Sequence, residues 1–107
     1  MLAQTLEKVK MPTDLAGLVE GRSSWARMGV SIHITAPKID PGFDGNITLE
    51  MANFGSLPIE LVAEEDTPAQ LILFKVTTPL EATEAYGTRQ GDNFQNQTSP
   101  IPNRKPR

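Results

Sequence analysis

The residues Gly21-Arg22-Ser23-Ser24-Trp25-Ala26-Arg27 concentrate groups suited to holding an anion. Ser23 to Met28 has the composition of one short helix, with Ser23 or Ser24 as N-cap and Gly29 as C-cap. A helix N-terminus presents unpaired backbone N–H groups and a partial positive charge. Two serine hydroxyls and Arg22 beside it would make a seat for phosphate. Arg27, four residues after Ser23, projects from nearly the same helical face. The plainer reading is a capped turn with solvent-exposed arginines, and residue types alone leave both open.

A second concentration lies between Ile39 and Glu50. Glu50 falls on the polar face of an alternating strand. If that face lines a pocket, its carboxylate can take a proton from water; otherwise it is a solvated strand glutamate. Asp40, before Pro41-Gly42, reads first as a turn former. His33, between Ile32 and Ile34, is expected to be a hydrogen-bonded structural histidine rather than a base. Trp25 is expected to pack in the core or at a subunit interface rather than stack on a ligand. Glu64-Glu65-Asp66 reads as a solvated turn, and Arg104-Lys105-Pro106-Arg107 as a frayed basic end.

These groups need a scaffold, and the hydrophobic pattern supplies a mainly β one. Residues 1–12 read as a strand, with Val9 and Met11 on one face and Lys8 and Lys10 on the other. Asp14–Glu20 is a second extended piece, between Pro12 and Gly21. Val30, Ile32 and Ile34 alternate with Ser31 and His33 as a half-buried strand would. Asp40-Pro41-Gly42 and Asp44-Gly45 are turn signals. The clearest strand follows, with Ile47, Leu49 and Met51 on one side and Asn46, Thr48 and Glu50 on the other. Leu57–Val62 alternates again, with Pro58 suggesting an edge. Gln70–Val76 is so apolar that burial on both faces is expected. Beyond Pro79 large apolar residues are few. The chain therefore divides into a β core, residues 1–79, and a flexible C-terminal arm, residues 80–107. The fold class is a distorted β-barrel or β-clip with one short helix.

Composition narrows the functions available. A length of 107 residues suits one domain. Nine prolines, eight glycines and 6% aromatic residues favour short strands and turns over long helices. With no cysteine and a single histidine, disulfides and the His/Cys sets of the zinc deaminases cannot be built. A net charge of −3 argues against broad nucleic-acid binding, but not against a small anion held by a few arginines. No apolar run approaches the roughly 20 residues of a membrane span. Met1–Glu7 lacks the basic and apolar regions of a signal peptide. A cytoplasmic protein with no membrane partner is expected.

The order of several pieces is more specific than any one of them. Pro12-Thr13-Asp14-Leu15-Ala16-Gly17 precedes Gly21-Arg22-Ser23-Ser24-x-Ala26-Arg27-x-Gly29. His33-Ile34-Thr35-Ala36-Pro37, Asp40-Pro41-Gly42-Phe43-x-Gly45, Ile47-Thr48-Leu49-Glu50 and Gln70-Leu71-Ile72 follow. Together, from about residue 2 to about residue 97, they resemble dCTP deaminase, whose trimeric β-rich fold is shared with dUTPase. The resemblance implies that Glu50 is the catalytic carboxylate, without zinc. Ser23 and Arg27 would hold the water and polarise the base from a neighbouring subunit of a homotrimer. Arg22 and Ser24 would contact phosphate across that interface. Asp40 would lie near the sugar 3′-hydroxyl, Ala36 and Ile47 would line the base pocket, and Tyr86 and Gln97 would close over the triphosphate. Mg2+ would arrive with the triphosphate, and dTTP would be a feedback ligand.

The chain departs from the family pattern in places. Asn93-Phe94 stands where Lys-Tyr is common, Trp25 replaces a leucine, and Glu65-Asp66-Thr67 replaces a Pro-Gly-Met turn. The resemblance covers only the C-terminal half of a family member. Three functions follow as expectations: deamination of dCTP to dUTP and ammonia, deamination joined to diphosphate release giving dUMP, or a non-catalytic trimerising or nucleotide-binding fragment.

Overall fold

A computed structural model describes residues 1–88, 92 and 94–100 of the chain. The basic end at residues 104–107, and Asn93, lie outside the described residues. The elements are β1 (Leu2–Lys10), β2 (Leu15–Gly21), α1 (Ser23–Ala26), β3 (Val30–Ser31), β4 (Lys38–Ile39), β5 (Asp44–Glu50), β6 (Ala52–Asn53) and β7 (Ala69–Lys75). All pairings are antiparallel: β1 with β5, β2 between β4 and β7, and β3 with β6. The expected mainly β class holds. Among the described residues the three ladders do not join into a closed barrel. No helix among these residues is long and apolar enough to cross a membrane.

Strand β5 is the spine. Its alternation puts Gly45, Ile47 and Leu49 inside and leaves Asp44, Asn46, Thr48 and Glu50 half-buried. Ile47 and Leu49 join Met11, Val19, Val30, Ile32, Phe43 and Met51 in one core. The β1 partner slips register between Gln4 and Lys8. The Asn46 amide fills that irregularity by donating to the Thr5 carbonyl at 3.0 Å, and Thr5 Oγ1 accepts from the Ile47 N–H at 3.0 Å. Backbone groups freed by the bulge are thus satisfied locally.

The turn before β5 has the geometry its sequence demands. The Phe43 N–H donates to the Asp40 carbonyl at 3.1 Å, and Gly42 sits at φ +87°, as a type II turn requires at its third residue. A Cβ on Gly42 would also lie 2.6 Å from that of Ala85. The turn therefore doubles as the seat for the start of the arm, where the Tyr86 N–H donates to the Pro41 carbonyl at 2.9 Å. Farther along, the Asn46 N–H donates to the Gln97 carbonyl at 3.1 Å, and the Asn96 N–H donates to the Asp44 carbonyl. Gly45 allows this close approach, because a Cβ there would meet Gln97 N at 2.9 Å. Residues 95–97 thus lie along the edge of β5 opposite β1, while Ala85 and Tyr86 sit on the turn before it, with Ala85 and Gln97 buried.

Four expectations need correction. The strand from Val30 stops at Ser31, whose hydroxyl donates to the His33 carbonyl at 2.7 Å and bends the chain, leaving Ile34 66% exposed. Leu57–Val62 forms no strand. The Leu57 carbonyl is taken by the Asn53 side chain and the Val62 N–H by Asp66, so its polar groups are bound outside any ladder. The helix N-cap is Arg22, without a side-chain cap bond, and the C-cap is Arg27; Ser23 and Ser24 lie inside the first turn and Gly29 beyond the cap. Strand β7 is open on both faces rather than buried, with Leu71, Ile72, Leu73 and Phe74 between 37% and 53% exposed. Apolar composition identified the strand but not what covers it.

Gly42→Ala should strain the backbone and push Ala85 off the turn. The expected cost is about 1–3 kcal/mol in unfolding free energy. Urea denaturation of the two proteins measures it.

Candidate functional site

A cavity of about 390 Å3 opens beside β5 and under the arm. Strand β5 contributes Ile47, Thr48 and Glu50, and Leu2 comes from the β1 residue paired with Glu50. The stretch through β4 into the type II turn contributes Ala36, Lys38, Ile39, Asp40 and Phe43. Tyr86, Phe94, Gln97 and Pro100 come from the arm. The lining is mainly apolar with a few polar groups, as small-molecule sites are.

Of the candidate residues named from sequence, Glu50, Ala36, Asp40, Ile47, Tyr86 and Gln97 meet at this cavity. They come from stretches up to 61 positions apart, and the fold brings them to one place. Among the described residues, the Glu50 side chain makes no hydrogen bond or ion pair. Asp40 is paired with Lys38, Oδ1 to Nζ 3.0 Å. Tyr86 packs edge-on against Phe43 at 5.5 Å, and its hydroxyl accepts from the Phe94 N–H at 3.0 Å. Gln97 is 5% exposed; its amide donates to the Asn46 carbonyl at 2.6 Å. Its carboxamide oxygen accepts from the Thr48 hydroxyl at 3.4 Å. Gln97 is therefore held by the strand that carries Glu50, and Tyr86 by the turn that precedes it.

Arg22, Ser23, Ser24 and Arg27 do not line this cavity. They sit on α1, at the end of β2, and all four are exposed. Arg27 and Ser23 are one helical turn apart, the Arg27 N–H donating to the Ser23 carbonyl at 2.9 Å. The Arg22 guanidinium donates to the Thr67 hydroxyl at 2.7 Å and to the Thr67 carbonyl at 3.3 Å. The Arg22 N–H donates to the Pro68 carbonyl at 3.0 Å. The serine motif is thus tied to the chain entering β7.

The remaining candidates take structural places. Trp25 is half-buried against the core. His33 Nε2 lies 3.2 Å from Glu20 Oε2, while its buried Nδ1 has no hydrogen-bond partner among the described residues. Asp66 Oδ2 accepts from the Val62 N–H at 2.7 Å, closing the acidic turn. Among the described residues no three His, Cys, Asp or Glu side chains gather as a metal-binding group.

Sequence reasoning missed Leu2, Lys38, Ile39, Phe43, Thr48, Phe94 and Pro100 as cavity residues. Two signals were available: Lys38 stands two residues before Asp40, and Thr48 two before Glu50, spacing that shares a face on an extended chain. Nothing local in sequence announced Thr67 as the partner of Arg22.

Comparison with known proteins fits this geometry. The dCTP deaminase-like family profile matches residues 1–76. Proteins named dCTP deaminase, dUMP-forming, from Parafrankia sp. and Mycobacterium avium are each 46% identical over 105 residues, 97% of this chain. The matches cover 51% and 54% of those proteins. A protein of the same name from Methanosphaera stadtmanae is 44% identical over 100 residues, covering 92% of this chain and 49% of its own length. The chain thus spans about half the length of these relatives. With most of its length matched by the family profile, the chain belongs to the dCTP deaminase-like family.

Proposed function

We propose that this chain carries the base- and sugar-facing part of a hydrolytic dCTP deaminase site, with Glu50 as its general base. One observation supports this above the rest: the cavity gathers Glu50 with Ala36, Asp40, Ile47, Tyr86 and Gln97. A deaminase must put a carboxylate, a water and the cytosine C4 together in a largely apolar space. In this reading Glu50 takes one proton from the water as its oxygen bonds to C4. The proton passes to ring N3, the second water proton reaches the exocyclic nitrogen, and ammonia leaves. The balance is dCTP plus water giving dUTP plus ammonia. Ala36 and Ile47 flank the base, Asp40 meets the 3′-hydroxyl, and Tyr86 and Gln97 bound the triphosphate end. The reaction in this reading needs no metal at the reacting carbon; Mg2+ would arrive with the triphosphate.

The exposed serine motif supplies the other part of the site in this reading. Ser23 and Arg27 would hold the water and polarise the base carbonyl, while Arg22 and Ser24 would take phosphate. They do not line the cavity of their own chain, which favours their acting on a neighbouring copy in a homotrimer. Arg22 would exchange Thr67 for phosphate, a stronger charge-assisted acceptor.

The product is proposed to be dUMP, because the relatives quoted are named dUMP-forming. A second water would attack the triphosphate of the bound dUTP, breaking one P–O bond to release diphosphate and dUMP. The competing readings are deamination that stops at dUTP and a non-catalytic, nucleotide-binding fragment; dTTP would be a feedback ligand of the enzyme.

Incubation of the assembled protein with dCTP and Mg2+, followed by chromatography, should yield ammonia, diphosphate and dUMP. Accumulation of dUTP alone would remove the second step, and dCTP binding without ammonia would remove both. Glu50→Gln should lower ammonia release by about 10²–10⁴-fold while dCTP still binds, as calorimetry would show. Mixing inactive Glu50→Gln with inactive Arg27→Ala subunits should restore activity. Random assembly of shared sites gives up to about a quarter of the original rate. No recovery in mixed oligomers would place both halves of the site on one subunit.

A further inference from the structure

Among the described residues, the segment beyond Pro79 forms no strand and no helix, yet Gln97 within it is buried. A segment without regular structure needs other partners to keep its place. The side chain of Gln95 supplies two of them. Its Oε1 accepts from the Asp44 N–H at 2.8 Å, and its Nε2 donates to the Gly42 carbonyl at 3.0 Å. A carboxamide carries both an acceptor and a donor, so one side chain can meet both groups. The carbonyl before Phe43 and the N–H after it are the pair that a parallel neighbouring strand would use. Gln95 thus does with a side chain what a peptide group does in a sheet.

Gly87 closes on the same side chain from the other direction. It sits at φ +97°, and a Cβ there would lie 2.7 Å from Gln95 Cγ and 2.8 Å from its Cδ. The Gln95 side chain therefore passes between the Gly87 backbone and the turn. On either side of it the arm is bonded too. The Tyr86 N–H donates to the Pro41 carbonyl, and the Tyr86 hydroxyl accepts from the Phe94 N–H. The Asn96 N–H donates to the Asp44 carbonyl, and the Asn46 N–H to the Gln97 carbonyl. Two parts of the arm, 85–87 and 94–97, thus meet around one carboxamide. Gln95 does not line the cavity, but Tyr86, Phe94 and Gln97 beside it do.

We propose that Gln95 is a positioning residue: its carboxamide clamps the arm to the Gly42–Asp44 backbone and so sets Tyr86 and Gln97 at the cavity. The consequence for nucleotide rests on the deaminase reading, in which those two residues bound the triphosphate end. The clamp itself does not. Contacts to the triphosphate end are made alike before and during attack at C4. Losing the clamp therefore weakens binding and spares the chemical step.

The test compares the unaltered protein with Gln95→Met, which keeps the length and removes both hydrogen bonds, and with Gln95→Glu. In Gln95→Met, amide exchange at Tyr86, Asn96 and Gln97 should quicken by at least about fivefold, read by hydrogen exchange. The KM for dCTP should rise by at least about fivefold, with kcat within about twofold. Gln95→Glu supplies a rescue. Ionised, it can accept from Asp44 but cannot donate to Gly42; protonated, it can do both. Charged groups near the clamp are Asp40 with Lys38, Asp44 with Lys8, and Asp92, which accepts from the Gly87 N–H at 2.9 Å. The unaltered protein keeps all of them, so it is measured at each pH. Calorimetry should show the ratio of the Gln95→Glu Kd for dCTP to the unaltered Kd shrinking by at least about threefold from about pH 7.5 to about pH 5. The Gln95→Met ratio should stay within about twofold over the same range.

The proposal is overturned if folded Gln95→Met keeps the parent's exchange at those three amides, or if its kcat falls while KM holds. A Gln95→Glu ratio that is flat with pH overturns it equally. If Gln95→Met fails to fold, the pH series on Gln95→Glu decides. If the unaltered protein neither binds nor deaminates dCTP, the deaminase reading falls by itself, and amide exchange alone decides the clamp.

Discussion

Backbone groups of the Asp40–Phe43 turn are shared among stretches far apart in sequence, and the cavity depends on that sharing. The Gly42 N–H donates to the Met11 carbonyl at 3.1 Å, and the Met11 N–H to the Phe43 carbonyl at 2.7 Å, fixing the end of β1. The Pro41 carbonyl accepts from Tyr86, and the Gly42 carbonyl accepts from the Gln95 amide at 3.0 Å, fixing the arm. Buried peptide groups must find partners, so each of these bonds constrains the others. Only a glycine lets the chain turn here and still admit Ala85. Strand β5 leaves the turn already flanked, by β1 on one edge and by the arm on the other.

Part of the cavity was legible in the sequence. Alternation alone put Glu50 on the polar face of a strand. Resemblance supplied Ala36, Asp40, Ile47, Tyr86 and Gln97, and the reason the last two reach the cavity is tertiary. A Tyr86 hydroxyl held by Phe94 and a Gln97 amide held by Asn46 are contacts no local pattern encodes. The failures have a common origin. Alternation in Leu57–Val62 is real, yet Asn53 and Asp66 side chains took the backbone groups that a ladder would have used. Ser23 and Ser24, expected as helix caps, lie one and two positions too late, because Arg22 holds the extended conformation that starts the helix. In β7 hydropathy identified an apolar strand correctly and its cover wrongly.

The two candidate halves of the site are anchored differently. The Glu50 half rests on β5 and the arm, which hold each other through backbone bonds. The serine motif rests on a four-residue helix whose Ser23, Ser24 and Ala26 face solvent, steadied by Trp25 against the core and by Arg22. Under the proposed reading, a preorganised pocket on one copy and an adaptable turn on a neighbouring copy would suit a ligand with a rigid ring and a flexible phosphate chain.

The clasp between Arg22 and the Thr67–Pro68 stretch gives α1 and β7 a common hinge pin. Any sliding of β7 along its length carries Thr67 with it, and the guanidinium must follow or let go. An anion that draws Arg22 away from Thr67 therefore loosens the entry to β7, and clamping that entry makes Arg22 harder to recruit. Such mechanical bookkeeping runs equally in both directions, as linkage between two binding events requires.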